Sequence, residues 1–150
     1  RMGYQKLSIS YFTIMREKKM PVLVMFIDLD RLKYINDTFG HEYGDFAIVS
    51  IAKAMLKHCD ADAIAARTGG DEFIVLEGAK DEESGRVLAQ KIRTELSKTQ
   101  RAMQLPFDLS ASIGAVVAHP GEENVLESYV KRAEMLMYEE KAEKKVSRDS

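Results

Sequence analysis

Pro21 opens a run of six apolar residues, Val22-Leu23-Val24-Met25-Phe26-Ile27, that stops abruptly at Asp28-Leu29-Asp30. No polar residue interrupts the run, so the segment has no solvent face and reads as a strand buried on both sides, which requires layers above and below a sheet. It is far too short to cross a bilayer. A carboxylate at the end of such a strand, directly before a helix, can hold a cation against a phosphate. The first N–H groups of that helix, around Arg31, Leu32 and Lys33, would face the same anion. Asp28 is also readable as a strand-end acid at the surface, although an unpaired charge beside a buried strand is costly. Asp30 reads as the cap of a short helix running from Arg31 to about Phe39 and closed by Gly40.

A second acidic pair lies further along, in Gly69-Gly70-Asp71-Glu72-Phe73. Ala63-Ile64-Ala65-Ala66-Arg67 precedes it and Phe73-Ile74-Val75-Leu76 follows, so both flanks read as buried strands joined by a tight hairpin. Glycine tolerates positive φ and lets a backbone or a phosphate come close. Carboxylates held at such a tip suit Mg²⁺, which takes one or two carboxylates plus substrate phosphates. A solvated polar tip would carry the same residues, so the remainder of the chain has to decide.

Leu7, Tyr11, Ile14 and Met15 recur at helical spacing before the first strand, and Ile48, Ile51, Ala52 and Met55 mark a helix starting near Asp45. Leu88, Ile92 and Leu96 mark another over roughly Glu82 to Thr99. Leu109, Ala111, Ile113, Ala115 and Val117 alternate as in a half-buried strand, and Leu126, Tyr129, Val130, Ala133 and Met137 share one face of a final helix. The order is α-β-α-α-β-β-α-β-α. The 150 residues fit one domain, with 24 acidic against 22 basic side chains and no basic stripe interleaved with aromatics, which argues against duplex nucleic acid as a partner. Cys59 is the single cysteine and reads as a packing residue in a reducing, cytoplasmic compartment.

Asn36, Asp37, Gly40, His41, Gly44 and Asp45 crowd between two helices. A carboxylate matches the N1–H and N2–H₂ edge of guanine, and an amide can pair with neighbouring base atoms. The same residues suit a capping loop, with Gly40 closing one helix and Asp45 starting the next. His41 is open to a structural role or a contact, while His58 and His119 carry no functional signal.

Together these residues resemble the GGDEF family, the catalytic domain of diguanylate cyclases. Its D-x-D-x-F-K-x-x-N-D-x-x-G-H-x-x-G-D pattern runs from Asp28 to Asp45 with the Phe changed to Leu32. R-x-G-G-D-E-F is Arg67 to Phe73, and S-x-G-x is Ser112 to Ala115. The resemblance covers essentially the whole chain. It implies an α/β fold similar to the palm of nucleotidyl cyclases and polymerases, with a central, mostly antiparallel sheet flanked by helices and carrying the GGDEF hairpin. It also implies condensation of two GTP into cyclic di-GMP and two pyrophosphates by two domains meeting face to face as a homodimer. On this mapping Asp28, Asp71 and the Leu29 carbonyl hold Mg²⁺, or Mn²⁺, and Asp71 also helps to deprotonate the attacking hydroxyl. Glu72 is an auxiliary acid. Asn36 and Asp45 read guanine with His41 near the nucleotide, and the backbone at Leu32 and Lys33, together with Lys141 and Lys145, holds the phosphates.

Departures from the pattern carry their own expectations. Lys145 stands where the family has arginine, which keeps the charge but loses the bidentate fork. Lys144 replaces the glycine that ends the last helix, so that helix is expected to run on. The R-x-x-D of an inhibitory product site, nine residues before Gly69, is Asp60-Ala61-Asp62-Ala63 here, so feedback inhibition through it is not expected. The family's opening motif is absent except for Arg1, which suggests an output domain whose N-terminal sensory partner is missing and whose parent could be membrane-anchored. A catalytically silent GTP-binding or interaction module with the same fold is the alternative. A relative using another nucleotide is disfavoured by Asn36 with Asp45.

Overall fold

The computed structural model describes residues 2–122 and 125–149. Among these residues nine elements follow in the expected order: α1 (Met2–Glu17), β1 (Val22–Leu29), α2 (Leu32–Phe39), α3 (His41–His58), β2 (Ile64–Arg67), β3 (Glu72–Gly78), α4 (Ser84–Ala102), β4 (Ala111–Ala118) and α5 (Leu126–Asp149). The strands form one antiparallel sheet in the order β2-β3-β1-β4. β1 is therefore central, as its unbroken apolar run requires, and all eight of its residues are buried. Among the described residues no helix is long and apolar enough to cross a membrane.

Strand periodicity divides β1 between two cores. Leu23, Met25, Ile27 and Leu29 face α3 and α4, where Ile51, Met55, Leu88, Ile92 and Leu96 meet them. Val22, Val24 and Phe26 face α1 and α5, against Phe12, Met15, Tyr129, Ala133 and Met137. The same two-residue period places Asp28 on the α5 side, and Asp30, just past the strand, meets Lys141 and Lys144 of α5. That assignment decides which helix supplies their counter-charges.

Several local expectations need correction. Asp30 is not the cap of α2: that position is Arg31, at φ 58° and ψ 37° with no side-chain cap bond, while Asp30 is buried. α3 begins at His41 rather than near Asp45, so Asp45 lies inside the helix instead of capping it. Gly40 does close α2, its N–H donating to the Asn36 carbonyl at φ 100°. β2 is an edge strand, only partly buried, whereas the reading of the hairpin expected two buried flanks. β4 is covered on both faces instead of one, because α5 packs on the side that the small residues Ser112 and Gly114 leave low. In α1 the helical spacing is real, yet Leu7 and Ile14 point to solvent and Phe12 with Met15 carries the packing. α4 starts at Ser84, where the Ser84 hydroxyl accepts the Lys80 and Asp81 N–H groups. α5 runs on past Lys144 as expected. Arg1 lies outside the described residues.

Candidate active site

The antiparallel register sets Glu72 directly opposite Asp28 across β1 and β3. Like charges facing each other across a ladder destabilise a sheet, so the pairing calls for a positive partner. The ladder continues into the hairpin, where the Leu29 N–H donates to the Asp71 carbonyl at 2.9 Å. Carboxylate oxygens of Asp28, Asp71 and Glu72 consequently lie within 4.8 Å of one another. Asp28 Oδ1 is buried and receives no hydrogen bond from the described residues; the Lys141 ammonium stands 3.8 Å away. A buried carboxylate oxygen left without a donor, among converging acids, fits a divalent cation. Burial chiefly, reinforced by Asp71 and Glu72 and opposed by Lys141, pushes the Asp28 carboxyl up to about 7.

Arg67 shapes the hairpin. Its guanidinium donates to the Gly69 carbonyl at 3.0 Å and twice to that of Gly70, at 3.1 and 2.6 Å, while the Thr68 N–H donates to the Glu72 carbonyl at 2.9 Å. Neither Gly69 nor Gly70 has positive φ, contrary to one reason for expecting glycine there. Space is the better reason: a Cβ at Gly70 would meet nothing within 4 Å, so the tip is open to an approaching group.

Asp30 is the neighbour that the sequence misassigned. Its carboxylate accepts the Ser110 hydroxyl at 2.7 Å, the Ser112 hydroxyl at 2.6 Å, the Lys141 ammonium at 3.2 Å and the Lys144 ammonium at 2.6 Å. Burial alone would raise its pKa; the bonds from Lys144, Ser112 and Ser110 outweigh this and hold it at about 2. Lys141 also donates to the Leu29 carbonyl at 3.3 Å, which with its 3.8 Å approach to Asp28 Oδ1 sets it beside the acidic trio. Lys144 donates further to the Ala111 carbonyl at 2.8 Å, and Glu140 accepts the Ile113 N–H at 3.0 Å, so α5 satisfies backbone groups of the edge strand β4. Arg93 of α4 grips Glu140 bidentately at 2.6 and 2.7 Å. Partial burial, then Glu134, Glu72, Asp28 and Asp71, raises the Tyr138 phenol.

Of the remaining sequence candidates, Leu32, Lys33, Asn36, His41 and Asp45 lie on α2 and the first turns of α3, and Lys145 lies on α5. Asn36 packs so tightly on Gly44 that a Cβ there would overlap its side-chain oxygen, which places Asn36 one residue from the exposed Asp45. His41, in the first turn of α3, is exposed. Leu32 and Lys33 open α2 directly after the acids of β1, and the Lys33 ammonium pairs with Asp37 at 2.8 Å on the surface. Lys145 is exposed, whereas its neighbour Lys144 turns to the sheet. Sequence reasoning missed Lys144, Ser110 and the Arg93–Glu140 pair. A usable signal was the spacing of Glu140, Lys141 and Lys144, which puts them on one helix face.

Residues 2–147 match the family model described as diguanylate cyclase, GGDEF domain. The chain belongs to the GGDEF family. It is 36% identical over 127 residues to the probable diguanylate cyclase DgcT of Escherichia coli K12, covering 83% of this chain and 28% of that protein. To diguanylate cyclase VdcA of Vibrio cholerae it is 34% identical over 134 residues, covering 87% of this chain and 39% of that protein. This GGDEF domain thus spans well under half the length of either relative. Among solved structures, the GGDEF domain of YfiN, or TpbB, from Pseudomonas aeruginosa superposes with a TM-score of 0.78 at 28% identity, covering 95% of this chain and 89% of that one. The expected fold, an antiparallel sheet flanked by helices and carrying the GGDEF hairpin, is the one observed.

Proposed function

We propose that this GGDEF domain is one half of a diguanylate cyclase that condenses two GTP into cyclic di-GMP with release of two pyrophosphates. The observation that carries the reading is the acidic trio Asp28, Asp71 and Glu72, with the buried Asp28 Oδ1 lacking a hydrogen-bond donor. Asp28, Asp71 and the Leu29 carbonyl would hold Mg²⁺ or Mn²⁺, whose chemistry there is to neutralise the triphosphate and polarise the bond under attack. Lys141 and Lys145 bind phosphate oxygens from α5, and the N–H groups of Leu32 and Lys33 cradle them from α2. Asn36 and Asp45 hydrogen-bond guanine, with His41 beside the nucleotide. Asp71 accepts the proton of the attacking 3′-hydroxyl, Glu72 supports its charge, and a second GGDEF domain presents the other GTP. The work is done in the cytoplasm, and product feedback through the Asp60 to Ala63 window plays no part.

The exposure of Lys145 favours a second reading, a GTP-binding module without turnover, because among the described residues no hydrogen bond or ion pair fixes this second phosphate-binding cation of α5. Incubating an artificially dimerised protein with Mg²⁺ and either GTP or ATP, followed by chromatography, separates the two. Cyclic di-GMP from GTP alone supports the cyclase. GTP bound but unconverted supports the module, and no GTP binding sinks both.

A further inference from the structure

Lys141 and the proposed metal compete for the same oxygens. The Lys141 ammonium lies 3.3 Å from the Leu29 carbonyl oxygen and 3.8 Å from Asp28 Oδ1. With Asp28 and Leu29 taken as metal ligands, as proposed above, a divalent cation and this ammonium cannot share them: Lys141 has to leave. It also holds Asp30, a carboxylate only 5% exposed, and stripping a buried carboxylate of its cation is strongly unfavourable. A single lysine would therefore be tied to the sheet by Asp30 whenever the metal arrived.

Lys144 removes that constraint. It stands at the position where the family pattern has glycine, and its ammonium makes the shorter of the two lysine contacts with Asp30, 2.6 Å against 3.2 Å. Two further contacts keep it in place, the Ala111 carbonyl at 2.8 Å and Glu140 Oε2 at 3.3 Å, and Glu140 is itself held by the Arg93 fork. None of these partners belongs to the acidic trio. We infer that Lys144 is a positioning residue, holding Asp30 permanently so that Lys141 is free to give up the metal position and turn to the substrate phosphates. Lys141 is thus a displaceable occupant of the cation site, and Lys144 is the fixed counter-charge.

Direct titration with Mn²⁺ alone, read by the electron paramagnetic resonance of the free ion, tests this without turnover or GTP. Lys144→Met leaves Lys141 as the sole lysine on Asp30, and Mn²⁺ binding should weaken by about tenfold or more. Lys144→Arg keeps Asp30 paired and should stay near the parent. In a Lys141→Met background there is no ammonium to displace, and Lys144→Met should no longer weaken binding. Equal weakening in both backgrounds would mean that Lys144 acts only through general stability, and unchanged binding in Lys144→Met would mean that it does not act at all; either result overturns the inference. A parent chain that binds no Mn²⁺ would overturn the metal reading itself, a distinct outcome.

Discussion

Gly114→Ala and Gly70→Ala add the same methyl group to one protein and should have opposite consequences. At Gly114 the new Cβ would overlap the Ala133 carbonyl oxygen and lie 2.6 Å from the Met137 nitrogen and 2.9 Å from the Leu136 Cβ. Two of these neighbours are helix backbone, which cannot rotate away, so the whole of α5 must lift from β4. Overpacking costs ~1–3 kcal/mol, and backbone neighbours place this site at the upper end. Alanine loses less chain entropy than glycine on folding, which offsets ~0.5–1 kcal/mol. The net destabilisation is about 2 kcal/mol, or a fall in Tm of roughly 4–8 °C for a domain of this size. Lifting α5 also moves Lys141 and Lys144, so Mn²⁺ affinity should change with stability. Gly70→Ala meets nothing within 4 Å and requires no positive φ; its Tm should stay within about 1 °C. Turnover of GTP by the dimerised protein should nonetheless fall, since the added methyl fills the open hairpin tip. Thermal melts of both variants decide the matter. A Gly114→Ala protein within 1 °C of the parent would refute the claim that α5 is seated by backbone contact at this glycine.

Arg67→Ala should cost under about 1 kcal/mol in a urea melt, because its bonds lie at an exposed tip, yet weaken Mn²⁺ binding by releasing the Gly69 and Gly70 carbonyls that set the hairpin. The Asp28 carboxyl, pushed up to about 7 from 3.8, binds a proton more tightly in the folded chain than in the unfolded one. Metal-free stability should therefore decline as pH rises from about 4 to about 7, and a divalent cation should flatten that slope in Tm measured against pH. Asp71→Asn removes one of the charges that raise Asp28, so it should stabilise the metal-free protein near neutral pH while abolishing the cyclic di-GMP synthesis proposed above; an unchanged melting profile would contradict the coupling of the two acids.

Much of the candidate site's geometry is legible in the sequence. The order of elements followed from periodicity, because an unbroken apolar run, an alternating run and a helical stripe bury different faces. The hairpin acids and Asp28 stood out because charge at the end of a buried strand needs a reason. What misled was local chemistry applied where tertiary contacts rule. Asp30 has the residue type and position of a helix cap, but the strand turns it inward, and two serines and two lysines distant in sequence hold it there. Asp45 looked like the start of a helix that Gly40 allows to begin four residues earlier. The motif Ser112-Ile113-Gly114 was recognised as a pattern; its physical content, a hydroxyl for Asp30 and a seat for α5, appeared only with the fold.

The division between the two levels of description is sharpest along β1. Alternation within the chain already dictates that Asp28 shares a face with Val22, Val24 and Phe26, since that depends only on the two-residue strand period. Nothing local dictates what lies opposite that face. The rotation of α5 about its own axis, set by its close approach at Gly114, turns Lys144 to the sheet and leaves Lys145 in solvent. Adjacent lysines on one helix are chemically alike and differ by about 100° in direction, so only packing across more than a hundred residues of sequence could assign them different work.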